Sequence, residues 1–207
     1  MGEPTEPTDG GTTAGDDRSG TVERVGLVTG SATGAGAYLL GYLVTYVTQV
    51  GAVRDRLRAL NFLTDLFGGE TVAAWQGVGW YFYSAHFVAT VSPTFGGGTR
   101  STNFLATAEA NLAYLYLVPP VALLLAGAAV AFLGGAEGPT DGVVAALGVV
   151  PAYFLLAIVG AAAFAFGVGD AGSIHPEYVT AALLAGVVYP AVLGGAGGAV
   201  GAAVRSR

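Results

Sequence analysis

The sequence predicts an all-α polytopic membrane bundle of about five transmembrane helices, with one short interfacial amphipathic helix beside them. Five windows contain no Asp, Glu, Lys or Arg: 25–53, 71–99, 110–136, 142–169 and 178–204, each 27 to 29 residues long. A bilayer hydrocarbon core of about 30 Å needs roughly 20 apolar residues in a helix rising 1.5 Å per residue. Hydrophobic residues make up 53% of the chain and charged ones 11%, with a mean hydropathy of +0.62. Soluble domains carry about 25% charged residues, and 207 residues are too few to hide five such windows in one globular core. Lipid removes the difficulty, because helices satisfy their own backbone groups there.

The first 24 residues hold Glu3, Glu6, Asp9, Asp16, Asp17 and Glu23 against Arg18 and Arg24. They have almost nothing apolar to bury, so residues 1–24 read as a disordered acidic tail rather than a signal peptide. The transmembrane domain then runs over 25–204, and 205–207 form a short basic tail. The first span covers about 25–50 and ends at the arginines of Arg54-Asp55-Arg56-Leu57-Arg58. Over 57–68, Leu57, Leu60, Leu63, Leu66 and Phe67 recur at three to four residues with Arg58, Asn61 and Asp65 opposite. That spacing predicts the interfacial helix, ended by Gly68-Gly69.

The second span, about 72–91, is the least hydrophobic. A polar loop with Pro93 and Gly96-Gly97-Gly98 follows it. The third (about 112–133) contains Pro119-Pro120, the fourth (about 143–166) Pro151 and the fifth (about 178–200) Pro190, each expected to bend its helix. Gly134-Gly135 and Gly138-Pro139 predict a tight turn, and Pro176-Glu177 predicts a helix start. With five spans, Arg54, Arg56, Arg58, Arg205 and Arg207 share one side against Arg18, Arg24 and Arg100. The excess places the C-terminus in the cytoplasm and the N-terminus outside, in the cell membrane.

Several functions are excluded or unsupported. The chain has no cysteine and carries a net charge of −6, so disulfides and thiolate chemistry are absent and nucleic acid is not a partner. His175 and Asp170 do not assemble a metal-ligand pattern beside His86. No metal site, cofactor or catalytic residue is predicted, and phosphate-loop, dinucleotide and nucleophile motifs are missing.

Two patterns remain. Gly26, Gly30 and Gly34 form a ridge on the first span, and Gly194 with Gly198 (beside Gly197 and Gly201) another on the last. Small residues let helices approach closely in lipid, so these are helix-packing positions, within one chain or in a dimer. Tyr38, Tyr42, Thr45 and Gln49 line one sector of the first span, and Gln76, Tyr83, His86 and Thr90 one sector of the second. Polar side chains in a bilayer turn toward a partner or water. The two stripes are therefore expected to face each other, either in interhelical hydrogen bonds or along a hydrated path.

The segment AWQGVGWYFYSAHFV over 74–88, with LNFLTDLFGGE and the glycine-rich first span, resembles a haloarchaeal family of uncharacterised multi-pass membrane proteins of unknown function. The lysine-free, arginine-only, acidic composition is of the kind a GC-rich halophilic archaeon uses, with a GC-rich actinobacterium as the alternative. The resemblance implies a membrane location and brings no activity. Within it, Trp80, Tyr83 and His86 are the positions to test first. The expectation is a non-enzymatic structural or accessory protein whose partners are the lipid bilayer and a second copy or another membrane protein. The alternative is a small channel or proton-linked transporter with its path between the first two spans.

Overall fold

The computed structural model describes the backbone of residues 13–66, 70–94, 96–108 and 112–207. Among these, four helical stretches are long and apolar enough to cross a membrane, not five: Leu27–Ala59, Ala113–Gly134, Pro139–Ala163 and Tyr178–Arg205. The first lies within helix α1 (Thr13–Leu66). The predicted interfacial helix is not a separate element, because no proline or glycine pair interrupts residues 52–66 and α1 runs on through them. The backbone of 13–24 also belongs to α1, while residues 1–12 lie outside the described part.

The second window does not span. Its helix α2 (Ala74–Ala85) has 12 residues, about 18 Å. It gives way to a hairpin of β1 (Thr90–Thr94) and β2 (Gly98–Thr102). The turn at Phe87, whose φ is +60°, breaks the helix, and β-branched Thr90, Val91 and Thr94 favour extended backbone.

The second span opens with a 3₁₀ segment (Ala113–Leu117) and continues as α3 (Val118–Gly134). Pro119 and Pro120 sit in the first turn of α3, where a missing N–H costs nothing, so they start the helix rather than bend its middle. Gly135, at φ +79°, caps α3 in the left-handed conformation. The third span joins α4 (Pro139–Ala146), a 3₁₀ turn and α5 (Val150–Ala163), with Pro151 at the junction. Short strands β3 (Phe166–Gly167) and β4 (Ser173–Pro176) follow. The last span begins at α6 (Tyr178–Thr180), widens into π-helical turns on either side of Tyr189, and closes with α7 (Gly195–Arg205). The predicted start is present. Glu177 caps it by accepting from the N–H groups of Val179 at 3.1 Å and Thr180 at 2.6 Å.

The strands form one sheet in the order β2-β1-β4-β3, all neighbours antiparallel. It gathers the α2–α3 connection and the α5–α6 connection at one end of the bundle, called here the sheet end. At the opposite end the Arg205 guanidinium donates to the Phe132 carbonyl at 2.6 Å. Gln49 reaches Tyr114 at the sheet end, so α1 enters from the end where α7 finishes. The ends of the chain were expected on opposite sides; four spans, an even number, return α7 to the side where α1 begins.

The glycine ridges are spent inside the chain. A Cβ on Gly30 would stand 2.6 Å from the Gly148 backbone, and one on Gly34 would run into Val149. Gly194 lies against Gly127, Gly198 against Gly142, Gly197 against Leu124 and Gly201 against Ala128. Gly26 belongs to the α1 backbone, and its surroundings lie outside the described part. The outer faces are studded with exposed Leu39, Leu43, Val47, Leu125, Leu155, Leu183 and Val192. Such surfaces suit a lipid solvent and not water.

Candidate functional site

α2 enters the bundle from the sheet end and is buried from Gly77 to Ala85. A short helix inside the membrane-spanning part of a protein is tolerated only where protein surrounds it. Two glycines make its seat possible. A Cβ on Gly77 would lie 2.7 Å from Val53 Cγ1, and one on Gly79 would collide with the Phe164 ring. The entry is held by Gln76, whose amide donates to the Ala165 carbonyl at 2.9 Å while its oxygen accepts from the Ala73 N–H at 3.2 Å. Trp80 donates from Nε1 to the Phe164 carbonyl at 2.9 Å. Near its entry Arg56 donates to the Tyr81 hydroxyl and its guanidinium lies 5.7 Å from the centre of that ring.

The inner end is closed by its own residues. The Tyr83 carbonyl accepts from the N–H groups of His86 at 2.9 Å and Val88 at 3.0 Å. That of Ser84 accepts from Phe87 N–H at 3.0 Å and from the Asn103 amide at 3.1 Å. A free helix C-terminus attracts cations through its bare carbonyls; here the Tyr83 and Ser84 carbonyls are occupied.

Around this end lies a buried cluster of Tyr38, Tyr83, His86 and Tyr153. The Tyr83 hydroxyl donates to the Ala157 carbonyl. Its proton is therefore committed, and the Tyr38 hydroxyl, 3.0 Å away, is the donor of that pair. A carbonyl can only accept, so His86 Nδ1, 2.9 Å from the Phe82 oxygen, carries the proton. In the neutral ring Nε2 then accepts from the Tyr153 hydroxyl at 2.7 Å. The direction of each bond follows. One chain runs Tyr38 to Tyr83 to Ala157, the other Tyr153 to His86 to Phe82, and each terminates on a backbone oxygen. The rings also meet edge to face, Tyr38 with Phe82 at 5.0 Å, Tyr38 with Tyr153 at 5.3 Å and Phe82 with His86 at 4.8 Å.

Of the two predicted stripes, the structure brings Tyr38 and Tyr83 into direct contact. Tyr42 meets α2 through the Trp75 carbonyl at 3.1 Å. The others go elsewhere. Thr45 bonds back to the Gly41 carbonyl of its own helix at 2.9 Å, a common satisfaction of a helical threonine. Gln49 donates to the Tyr114 hydroxyl at 2.8 Å and Gln76 turns to Ala165. Thr90 begins β1, and its buried hydroxyl has no protein partner among the described residues. Sequence reasoning missed Tyr153, Trp80's acceptor and Asn103. Tyr153 is the lone hydroxyl-bearing side chain within 143–166, a signal that an inventory of the fourth window would have caught. No three His, Asp or Glu side chains converge among the described residues.

These contacts all lie within a stretch that matches a known family. Residues 11–205 match a family of unknown function, DUF7978. The chain belongs to that family. No curated protein and no solved structure matches it. The DUF7978 match takes in α2, the aromatic cluster, the sheet and all four long apolar helices.

Proposed function

We propose that this DUF7978 member is a non-enzymatic, four-span integral membrane protein in which α2 is a fixed keystone and not a gate. The observation that carries the reading is the termination of both hydroxyl chains on backbone carbonyls. A proton relay needs a donor and acceptor that can exchange roles and a route to water at each end. In this cluster the donors are committed and no carboxylate adjoins His86. The bonds fix the position of α2 against α1 and α5. That is the work of a scaffold that holds a shaped surface in the membrane for a second copy or another membrane protein. The lysine-free acidic composition supports a haloarchaeal source, and the four long apolar helices support a membrane location, for which the cell membrane is the proposal. Four spans divide the arginines equally, Arg18, Arg24, Arg205 and Arg207 at one end and Arg54, Arg56, Arg58 and Arg100 at the other. Arginine placement then no longer favours an outside N-terminus.

Purified protein in sealed liposomes tests the reading against the channel or transporter alternative. Under imposed proton and solute gradients, wild type and His86→Ala are expected to leak no faster than empty vesicles. A flux present in wild type and lost in His86→Ala would establish transport instead.

A further inference from the structure

We infer that a groove between α1 and α3 is a built site for one hydrocarbon chain of a membrane lipid from the sheet-end leaflet. This rests on the membrane reading above. The groove encloses about 250 Å³ and is walled by Leu40, Gly41 and Val44 on one side and by the face from Tyr114 to Leu125 on the other. All of its side chains are apolar except the Tyr114 hydroxyl at its sheet-end mouth. Gly41 lets the wall close on the core: a Cβ there would stand 3.1 Å from the Phe82 ring and 3.9 Å from Val118.

The dimensions fit one leaflet. From Tyr114 to Leu125 the chain takes eleven residue steps, about 17–18 Å at 3₁₀ and α-helical rise, and half of a hydrocarbon core is about 15 Å. The polar mouth also stands at the level where a lipid turns polar. Exposed Trp75, Tyr114 and Tyr178 all lie at the sheet end, and exposed Trp and Tyr settle at the membrane–water boundary. Tyr114 is held there by Gln49, whose amide donates to its oxygen at 2.8 Å. That leaves the Tyr114 proton free to donate to an ester, ether or phosphate oxygen at the head of the chain. A lipid so placed has its tail against protein on two sides and its oxygen on a fixed donor. An ordinary boundary lipid has neither.

Native mass spectrometry of detergent-purified protein tests this. Wild type is expected to keep one lipid-mass adduct through delipidating washes, and the adduct mass tells ester-linked from ether-linked lipid. Val44→Phe and Val121→Phe, which fill the groove from opposite walls, are expected to cut retention about tenfold, the loss of burial of one to two methylene groups. Tyr114→Phe is expected to weaken retention less, by the loss of one hydrogen bond. Leu133→Phe, exposed on α3 but outside the groove, is expected to leave it unchanged. Absence of the adduct, or retention as strong as wild type in both groove-filling variants, overturns the site while a chain that still partitions into membranes keeps the membrane reading. A chain recovered in the aqueous fraction overturns both.

Discussion

The hydroxyl of Tyr38 on α1 lies 3.0 Å from that of Tyr83 on α2, and the two stand over Gly160 of α5. Three elements thus meet at one pair of oxygens with no room for a methyl group between them. The two tyrosines are not equivalent. Tyr83 both donates to Ala157 and accepts from Tyr38, whereas Tyr38 only donates. Tyr83→Phe should therefore strand a buried acceptor and a buried donor and cost about 1–3 kcal/mol, and Tyr38→Phe about 0.5–1.5 kcal/mol. Unfolding in mixed detergent measures both; equal losses would remove the asymmetry.

Gly160→Ala places a methyl group against the Tyr38 and Tyr83 hydroxyls, while Gly36→Ala meets nothing within 4 Å. The first is expected to destabilise by about 1–3 kcal/mol, as overpacking does. The second should stabilise by up to about 1 kcal/mol, since alanine is the better helix former. Thermal unfolding of the two variants side by side gives the comparison, and a Gly160→Ala protein as stable as Gly36→Ala would contradict the packing.

Topology can be read with single cysteines, because the native chain has none. In a four-span protein Arg58→Cys and Ser101→Cys lie on the same side and Ser206→Cys on the other. Five spans would separate positions 58 and 101. Labelling with an impermeant maleimide in sealed vesicles decides it, and modification of position 58 from one side and position 101 from the other would restore the fifth span.

The apolar part of the architecture was legible because length and hydropathy report it directly. Four of the five windows fold as expected, and Glu177 starts the last span where its proline and charge said it would. The second window misled for a physical reason. Trp80, Tyr83 and His86 are tolerated at depth only because the Phe164 and Ala157 carbonyls accept from the first two and the Tyr153 hydroxyl donates to the third, and those partners are backbone groups or residues of another helix. Hydropathy counts residue types and is blind to distant carbonyls. The sheet escaped notice because its strands have two to five residues, too short for alternation to register. Pro119, Pro120 and Pro151 differ from the expected bends because 3₁₀ turns before α3 and α5 turn mid-window positions into helix starts.

Glu177 supplies a pH-dependent expectation. Its hydrogen bonds, first to Thr180 and then to Val179, hold its carboxyl below the usual carboxylate value. A carboxyl whose folded value is depressed contributes stability above its unfolded value, and that contribution is lost as pH falls through the folded value. Wild type should therefore exceed Glu177→Gln in unfolding midpoint near neutrality, with the gap closing in acid below the ordinary carboxylate range. A gap independent of pH would show that the cap acts without its charge.

The wiring of α2 bears on how the chain is made. Tyr83 is 74 residues ahead of its acceptor at Ala157, Trp80 is 84 ahead of Phe164, and Gln76 is 89 ahead of Ala165. At a synthesis rate of about 5–20 residues per second, these groups leave the ribosome roughly 4 to 18 seconds before anything can receive them. During that interval α2 has neither the length to insert by itself nor the partners to be buried. Its docking must follow synthesis of α5 and the residues just after it, so the second helix of the chain waits for an acceptor 74 residues further on. A nascent chain stalled before Val150 would leave α2 to water, to the headgroups or to whatever assists insertion.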